Sequence, residues 1–188
     1  MILALPVIVG VPLGLLFGGS LAQLAGLRLR CVELFYLAVG AQIVAFPFPF
    51  LPWHTSDAAG TALWLASYGL LLCAAILNRS VTGVPVVAAG MVANVAAVLA
   101  NGGHMPALPG ALKSAGLPVH RHFNSAPDAS PHLSWLVDRW AVPPSLHLGN
   151  VYSVGDIMIA VGALVVVCAA MGAKRPLRRW AHRVEAAR

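Results

Sequence analysis

Long apolar blocks, separated by short polar segments, dominate this chain. Five of them are candidate membrane spans, and they cover residues 2–19, 32–51, 61–77, 83–100 and 151–172. The hydrocarbon core of a bilayer is about 30 Å thick and takes roughly 17–25 helical residues to cross. The pattern therefore predicts an all-α fold, a polytopic membrane helical bundle with five transmembrane helices.

The composition supports this class. The chain is 59% hydrophobic and only 10% charged, whereas soluble domains are about 45–50% apolar and about 25% charged. So few charges would leave the surface of a soluble domain largely uncovered. Prolines within the segment 47–52 predict that the second helix ends early, because proline removes a backbone donor and clashes with the preceding turn.

Basic residues set the predicted orientation, because Lys and Arg accumulate in short cytoplasmic loops. Arg28 and Arg30 follow the first block, Arg79 follows the third, and the segment 174–188 carries six more basic residues. With five spans, these three places fall on one side of the membrane. The N-terminus is therefore predicted outside and the C-terminus in the cytoplasm.

Residues 1–172 are predicted to form one membrane bundle, which includes an outer loop over 101–150, and residues 173–188 to form a basic cytoplasmic tail. In the tail, Leu177 and Trp180 recur at helical spacing with arginines on the other face. Such an amphipathic helix binds an anionic membrane surface. Membrane lipid is therefore the predicted partner, and nucleic acid is not.

The outer loop holds many glycines and prolines, so long regular elements are not expected there. Its aromatic and aliphatic residues favour packing on the bundle or a place at the lipid interface. The segment SPHLSWLVDRW, residues 130–140, predicts a short helix with Ser130 as its N-cap and Pro131 in its first turn. Asp138 would then lie near the end of that helix.

Two carboxylates are the leading candidates for chemistry. Asp156 opens the last apolar block, and an ionisable residue within a span is expensive and usually functional. If the loop folds back, Asp138 could meet it, and two close carboxyl groups do not easily both ionise. One would then activate water while the other polarises a carbonyl. The structural alternative pairs Asp138 with Arg139 and makes Asp156 a cap of the last helix.

Histidines are concentrated on the predicted outer side. His120 and His122 alternate, and with His104, His132 or His147 they could bind zinc or copper. Their irregular spacing favours solvated or interfacial histidines instead, so neither a metal nor a cofactor is predicted.

Asn101, Gly102 and Gly103 directly follow the fourth block. This sequence is typical of a helix C-cap. It could also present an amide and backbone N–H groups to a substrate.

Four segments carry a resemblance to known proteins: NGGHMP, HRH, WLVDRW and VYSVGDIMIAVG. They resemble a bacterial family of small membrane proteins, classed by a domain of unknown function, with Asn-x-Gly-x-Met-Pro and Ser-x-Gly-Asp motifs. The resemblance covers residues 101–162. It implies a bacterial inner-membrane location and no particular activity.

A more remote resemblance is to lipoprotein signal peptidase, a membrane aspartic peptidase. Residues 101–103 look like its Asn-x-Gly motif, LVD ending at Asp138 looks like its second motif, and SVGDIMIAVG around Asp156 looks like its third. The resemblance implies a catalytic role for both aspartates and a supporting role for Asn101. Ser153 stands where that family has Asn, and its members have a full span between the first two motifs, which this sequence lacks.

These observations predict an aspartic peptidase-like hydrolase that acts at the outer membrane interface on a membrane-embedded peptide or lipid-linked substrate. The predicted catalytic residues are Asp138 and Asp156, with Asn101, Gly103, His122 and Ser153 in binding or supporting positions. The alternative is a non-enzymatic membrane module that binds a lipid, a small ligand or a partner protein.

Overall fold

The computed structural model describes residues 5–46, 55–120, 124–143 and 149–173. Within them the chain is mostly helical, which confirms the helical part of the prediction, and four short strands accompany seven helices. In chain order these are α1 (Leu5–Leu16), α2 (Leu21–Ala25), α3 (Glu33–Ala45), α4 (Asp57–Leu77), α5 (Val84–Ala100), β1 (Met105–Ala107), α6 (Pro109–Ser114), β2 (Ser125–Pro127), β3 (Trp140–Val142), β4 (Asn150–Tyr152) and α7 (Val154–Ala170). The predicted basic tail, apart from Ala173, lies outside the described residues.

Five of the helices, α1, α3, α4, α5 and α7, fall in the five apolar blocks. Among the helices of the described residues, α4, with 21 residues, is the one both long and apolar enough to cross a membrane by itself. The other four are apolar helices of 10–17 residues. Helix length by itself therefore supports one span rather than the predicted five.

Local sequence explains where the longer helices begin and end. α3 ends at Ala45, and the backbone of Phe46 is already extended, directly before the proline-containing residues 47–54, which lie outside the described part. α4 begins before its apolar block, because the Ser56 hydroxyl accepts a hydrogen bond from the Ala59 amide at 3.4 Å and caps the helix.

α5 and α7 run antiparallel in close contact, and glycines make the contact possible. A Cβ on Gly90 of α5 would lie 2.5 Å from the carbonyl oxygen of Gly155. A Cβ on Gly162 of α7 would lie 2.7 Å from the amide nitrogen of Val87. Because real Cβ atoms do not approach backbone so closely, these positions need glycine, which lets helix backbones come together.

The remaining long helices join this pair. α1 packs on α7: a Cβ on Gly14 would overlap Met171, and the Cys168 thiol donates to the Gly10 oxygen at 3.6 Å. α3 packs on α4, where the Gln42 amide donates to the Ser67 hydroxyl at 3.1 Å. α4 in turn packs on α5.

The connecting segment (residues 101–153) lies between α5 and α7 and contains all four strands. β1 and β2 pair in parallel, and β3 and β4 pair antiparallel. The backbone of Asp138 lies beside β1: its amide donates to the Pro106 oxygen at 3.0 Å, and its oxygen accepts from the Leu108 amide at 2.9 Å. The next amide, that of Arg139, donates to the Tyr152 oxygen at 3.1 Å. Asp138 is therefore fixed between β1 and β4.

The connecting segment packs on the helices, as its apolar residues predict. Leu136 lies in a buried cluster with Trp64 of α4, Val98 of α5 and Met105 of β1. The neighbouring Val137 is fully buried. The residues directly before Asp138 thus anchor it to the bundle.

The short helix predicted over residues 130–140 is wrong: the chain forms turns there, and Leu133 has a φ of 51°. The cause is a tertiary contact. The Asn101 side chain accepts from the His132 amide at 2.8 Å and donates to the His132 oxygen at 2.9 Å. The His132 oxygen is therefore engaged by Asn101 instead of by an amide one turn further on, and this contact competes with the local capping signal of Ser130.

Candidate functional site

A cavity of about 420 Å³ opens where the C-terminal end of α5 and the N-terminal end of α7 meet the connecting segment. Its apolar lining includes Trp64, Val98 and Met105. Its polar lining comprises Tyr68, Asn94, His120, Asn124, Ser125, Asp138, Asn150, Tyr152 and Asp156. The two carboxylates singled out from the sequence therefore share one cavity.

Asp156 is held by the first turn of α7. Ser153 is the N-cap: its hydroxyl accepts from the Asp156 amide at 3.0 Å, and its own amide donates to Asp156 Oδ2 at 3.0 Å. This reciprocal capping box satisfies two otherwise unpaired helix donors. The predicted alternative, that Asp156 caps its own helix, is thus observed, and Ser153 is its partner in the capping box.

Asn94 of α5 completes the surroundings of Asp156. Its amide donates to Asp156 Oδ1 at 2.9 Å, and its carbonyl oxygen accepts from the Ser153 hydroxyl at 2.8 Å. Asn94 is only 3% exposed. The sequence interpretation missed it, although a lone amide inside an apolar block is a signal, because such residues hydrogen-bond between helices.

Tyr68 brings α4 to the same group. Its ring packs edge-on against Trp64, with centroids 5.3 Å apart and planes at 67°. Its hydroxyl forms a hydrogen bond with the side chain of Asn94. It also interacts electrostatically with Asp156 and Asp138. The sequence interpretation missed this residue too, because a tyrosine in an apolar helix is as typical of packing as of chemistry.

Asp138 enters the cavity from the connecting segment. Its Oδ1 is buried and has no hydrogen-bond partner within the described residues. The guanidinium of Arg139 lies over the Trp140 ring, 5.6 Å from its centroid. Asp138 Oδ1 therefore makes no hydrogen bond to Arg139, and the predicted pairing of these two side chains is not observed at this oxygen.

The protonation of Asp138 follows from this environment. Burial, and then the negative charge of Asp156, raise the pKa of Asp138 from 3.8 to about 8. Both causes disfavour the charged form of a carboxyl group. At neutral pH the cavity therefore contains a protonated acid at Asp138 near the carboxyl group of Asp156.

Comparison with known proteins gives the family. Residues 26–168 match the model described as Family of unknown function (DUF5317). The chain belongs to this family. No curated protein and no solved structure matches it. The predicted resemblance to a family classed by a domain of unknown function is confirmed, whereas the comparisons show neither its motifs nor a likeness to lipoprotein signal peptidase.

The DUF5317 match covers every residue of the cavity, from Trp64 to Asp156. It begins after α2 and ends within α7. The cavity is therefore built from the part of the chain that matches the family, whereas α1 and α2 lie outside that part.

Asn101 and Gly103 of this DUF5317 chain do not line the cavity. Asn101 is the C-cap of α5 and holds the backbone of His132, as described above. Gly103 has a φ of 91°, and its amide donates to the Val98 oxygen at 3.0 Å, which closes the helix end. The cap interpretation is confirmed, and Asn101 also holds the loop that leads to Asp138.

The predicted binding residue His122 lies outside the described residues. Of the other histidines, His120 lines the cavity. Within the described part of the chain, no group of three or more His, Cys, Asp or Glu side chains could hold a metal ion.

Proposed function

We propose that this DUF5317 protein is an integral membrane protein of five spans, with its N-terminus outside and its C-terminus in the cytoplasm, in the inner membrane of a bacterium. Large apolar side chains exposed on the helices support the proposal, because soluble monomers rarely expose an extended apolar surface. They include Val7, Ile8, Leu16, Tyr36, Leu37, Val39, Ile76, Val86, Val92, Leu99, Ile157 and Val161.

The lengths of the short helices are compatible with this topology. α5 and α7 have 17 residues each, which rise about 26 Å and meet the lower limit of about 17 residues for a span. α1 and α3 have 12 and 13 residues. Both are shorter than this limit, so they support the topology less than α5 and α7 do.

The position of two arginines supports the orientation. The Asn78 side chain at the end of α4 holds the backbone of Arg30 through hydrogen bonds of 2.7 and 3.0 Å, beside Arg79. Basic residues from two separate loops therefore lie together, at the opposite end of α5 from the cavity. Such clustering is typical of a cytoplasmic face.

In this proposal the cavity is the active site of an aspartic peptidase-like hydrolase at the outer membrane interface. The observation that carries it is that Asp138, whose buried Oδ1 has no hydrogen-bond partner within the described residues, lines the same cavity as Asp156. Burial and the charge of Asp156 raise the pKa of Asp138 to about 8, which supports a neutral acid there. One neutral acid beside one carboxylate is the arrangement that aspartic peptidases use.

The proposed reaction adds water to a peptide bond. Asp138 donates its proton towards the carbonyl oxygen, while Asp156 accepts a proton from the attacking water, whose oxygen bonds to the carbonyl carbon. The resulting gem-diol collapses as the C–N bond breaks. Asp156 gives its proton to the leaving nitrogen, and Asp138 recovers one from a gem-diol hydroxyl. The products are an acid and an amine, and both side chains return to their starting states.

Asp156 keeps the capacity for this role. It accepts one hydrogen bond on each oxygen, from Asn94 and from the Ser153 amide. An ionised carboxylate has about four acceptor positions, so positions remain for a water molecule. The two bonds hold the carboxylate in one orientation, which favours catalysis.

The test uses the full-length protein in lipid nanodiscs with two probes, a statine-containing peptide whose hydroxyl mimics the gem-diol and a pool of fluorogenic peptides. The wild type is expected to bind the statine peptide and to cleave peptides of the pool. Asp138→Asn and Asp156→Asn are expected to lose both properties. Asp57→Asn, the same change at an exposed position of α4, is the control.

A wild type that neither binds the statine peptide nor cleaves any peptide would overturn the proposal, and so would an Asp138→Asn variant with full turnover. Because Asp156 also caps α7, thermal unfolding must accompany its variant. Asp138 lies in no helix of the described residues, so its variant leaves the cap of α7 intact.

One observation favours a second candidate, a non-enzymatic membrane module that binds a lipid, a small ligand or a partner protein. Both oxygens of Asp156 are engaged in the capping box and the bond to Asn94. In this candidate Asp156 is purely structural, so Asp156→Asn would lower stability while the wild type would not bind the statine peptide.

A further inference from the structure

We propose that Tyr68 is a third catalytic residue of the cavity, whose hydroxyl donates a hydrogen bond to the carbonyl oxygen of the bond under attack. This inference rests on the proposed hydrolase. The supporting observations are the position of the hydroxyl, the hydrogen-bond arrangement around Asn94, and the charges of the cavity.

The position of the hydroxyl is fixed from two sides. Tyr68 lines the cavity, and its ring is held edge-on by the buried Trp64 at 5.3 Å. At the other end of the ring, the hydroxyl interacts with the side chain of Asn94 and lies near both carboxyl groups. A group held in this way needs little reorganisation to meet a substrate.

The hydrogen bonds of Asn94 determine which way the Tyr68 proton can point. The carbonyl oxygen of Asn94 accepts from the Ser153 hydroxyl, and one N–H of its amide donates to Asp156. The amide carries a second N–H, and this is the group that can donate to the Tyr68 oxygen. With its oxygen as the acceptor, Tyr68 keeps its own O–H proton for a group in the cavity.

The charges of the cavity explain why the carbonyl oxygen would require a hydrogen-bond donor such as the Tyr68 hydroxyl. Attack by water builds negative charge on the carbonyl oxygen, in a cavity that already contains two carboxyl groups. No Lys or Arg lines the cavity within the described residues. The charge must therefore be stabilised by uncharged hydrogen-bond donors of the lining. Among them, the Tyr68 hydroxyl is the one that interacts with Asn94 and with the charges of both carboxyl groups, so it is the donor we place beside Asp138. Tyr68 keeps its proton throughout, so the balance of the reaction is unchanged.

The test compares Tyr68→Phe with the wild type on the fluorogenic peptide pool, in the same nanodiscs. Loss of one oxyanion donor typically lowers kcat about 10²–10³-fold, and the expected KM stays within about threefold, since the interaction is made mainly in the transition state. Tyr68→His keeps a ring N–H donor and is expected to recover part of kcat. Trp64→Phe, which keeps the hydroxyl, is the packing control and is expected to lose less activity.

The outcomes separate this inference from the proposed function. An active wild type together with a Tyr68→Phe variant of unchanged kcat would overturn the role of Tyr68 and leave the hydrolase standing. Equal losses in Tyr68→Phe and Tyr68→His, with KM raised in both, would also overturn it, because they would indicate packing. A wild type without turnover or statine binding would overturn both proposals together.

Discussion

The amide of Asn94 on α5 donates to the carboxylate of Asp156 on α7 across 2.9 Å, joining two residues that are 62 positions apart in sequence. The same contact depends on glycine, because a Cβ on Gly155 would overlap the Asn94 side chain. The hydrogen bond between Asn94 and Asp156 therefore depends on the close packing of α5 against α7. Changes that separate α5 from α7 should disturb the carboxylate as well.

The first prediction concerns this close approach. Gly155→Ala should destabilise the protein by about 1–3 kcal/mol, the usual cost of overpacking, because its Cβ would meet Asn94 and the oxygen of Gly90. Gly69→Ala on α4 is the matched control: no atom lies within 4 Å of its added Cβ, and replacing a helical glycine gains up to about 1 kcal/mol. Unfolding by denaturant in detergent micelles measures both, and equal shifts would contradict the packing described.

The second prediction removes the amide itself. Asn94→Ala should cost about 1–3 kcal/mol, because Asp156 Oδ1 loses its donor and the Ser153 O–H loses its acceptor. Val92→Ala, on the exposed side of the same helix at 52% exposure, should change the free energy of unfolding far less. The same unfolding measurement checks this pair. A larger loss in the Val92 variant would show that Asn94 is not a structural contact.

Much of the bundle could be predicted from the sequence because its signals are local. Blocks of apolar residues indicate where helices form, and the prolines of 47–52 predict the early end of α3. The Ser56 cap, which starts α4 before the predicted block, was missed although it too is local. The number of membrane spans is harder to predict from the apolar blocks, because α1 and α3 are shorter than the blocks that contain them. The glycine contact of α5 with α7 depends on which helices pack together, and the spacing of residues along one helix does not identify its partner.

The residues of the candidate site also fall into two groups, those that the sequence indicates and those that only the structure brings together. Asp138 and Asp156 could be found because a carboxyl group stands out in or beside an apolar segment. Tyr68 and Asn94 could not be joined to them, because the cavity brings α4 and α5 to α7 only in three dimensions. The failed helix over 130–140 has the same origin, a hydrogen bond between distant residues.

A third prediction tests that distant contact. Asn101→Ala removes hydrogen bonds to both backbone groups of His132, so the turn before Asp138 should open more easily. Each lost bond is worth about 0.5–1.5 kcal/mol, and amide hydrogen exchange around His132 should therefore rise by about 5–100-fold.

Asn78 offers a matched control for this change, because it holds the backbone of Arg30 in the same two-bond manner at the other end of the bundle. Asn78→Ala should speed exchange around Arg30 and leave the residues near His132 unchanged. Exchange that rises equally at both places in either variant would indicate general destabilisation and contradict a local role for Asn101.

The final prediction follows from the pKa of Asp138. Folding raises this pKa from 3.8 to about 8, so between these values the folded protein binds more protons than the unfolded chain does. The free energy of unfolding must then fall as the pH rises through this window. Below it the Asp138 carboxyl group is protonated in both states and exerts no effect; above it the full cost of burying a charge applies.

Asp138→Asn removes this titration and keeps the shape of the side chain. Relative to the wild type, the variant should therefore gain stability between about pH 5 and about pH 8, on the order of a few kcal/mol, because the wild type alone must bury a charge as the pH rises. Thermal unfolding in nanodiscs at several pH values measures the difference. The exposed Asp57→Asn variant should run parallel to the wild type. If Asp138→Asn also ran parallel, Asp138 would titrate as an ordinary carboxyl group, and the neutral acid on which the proposed chemistry depends would be absent.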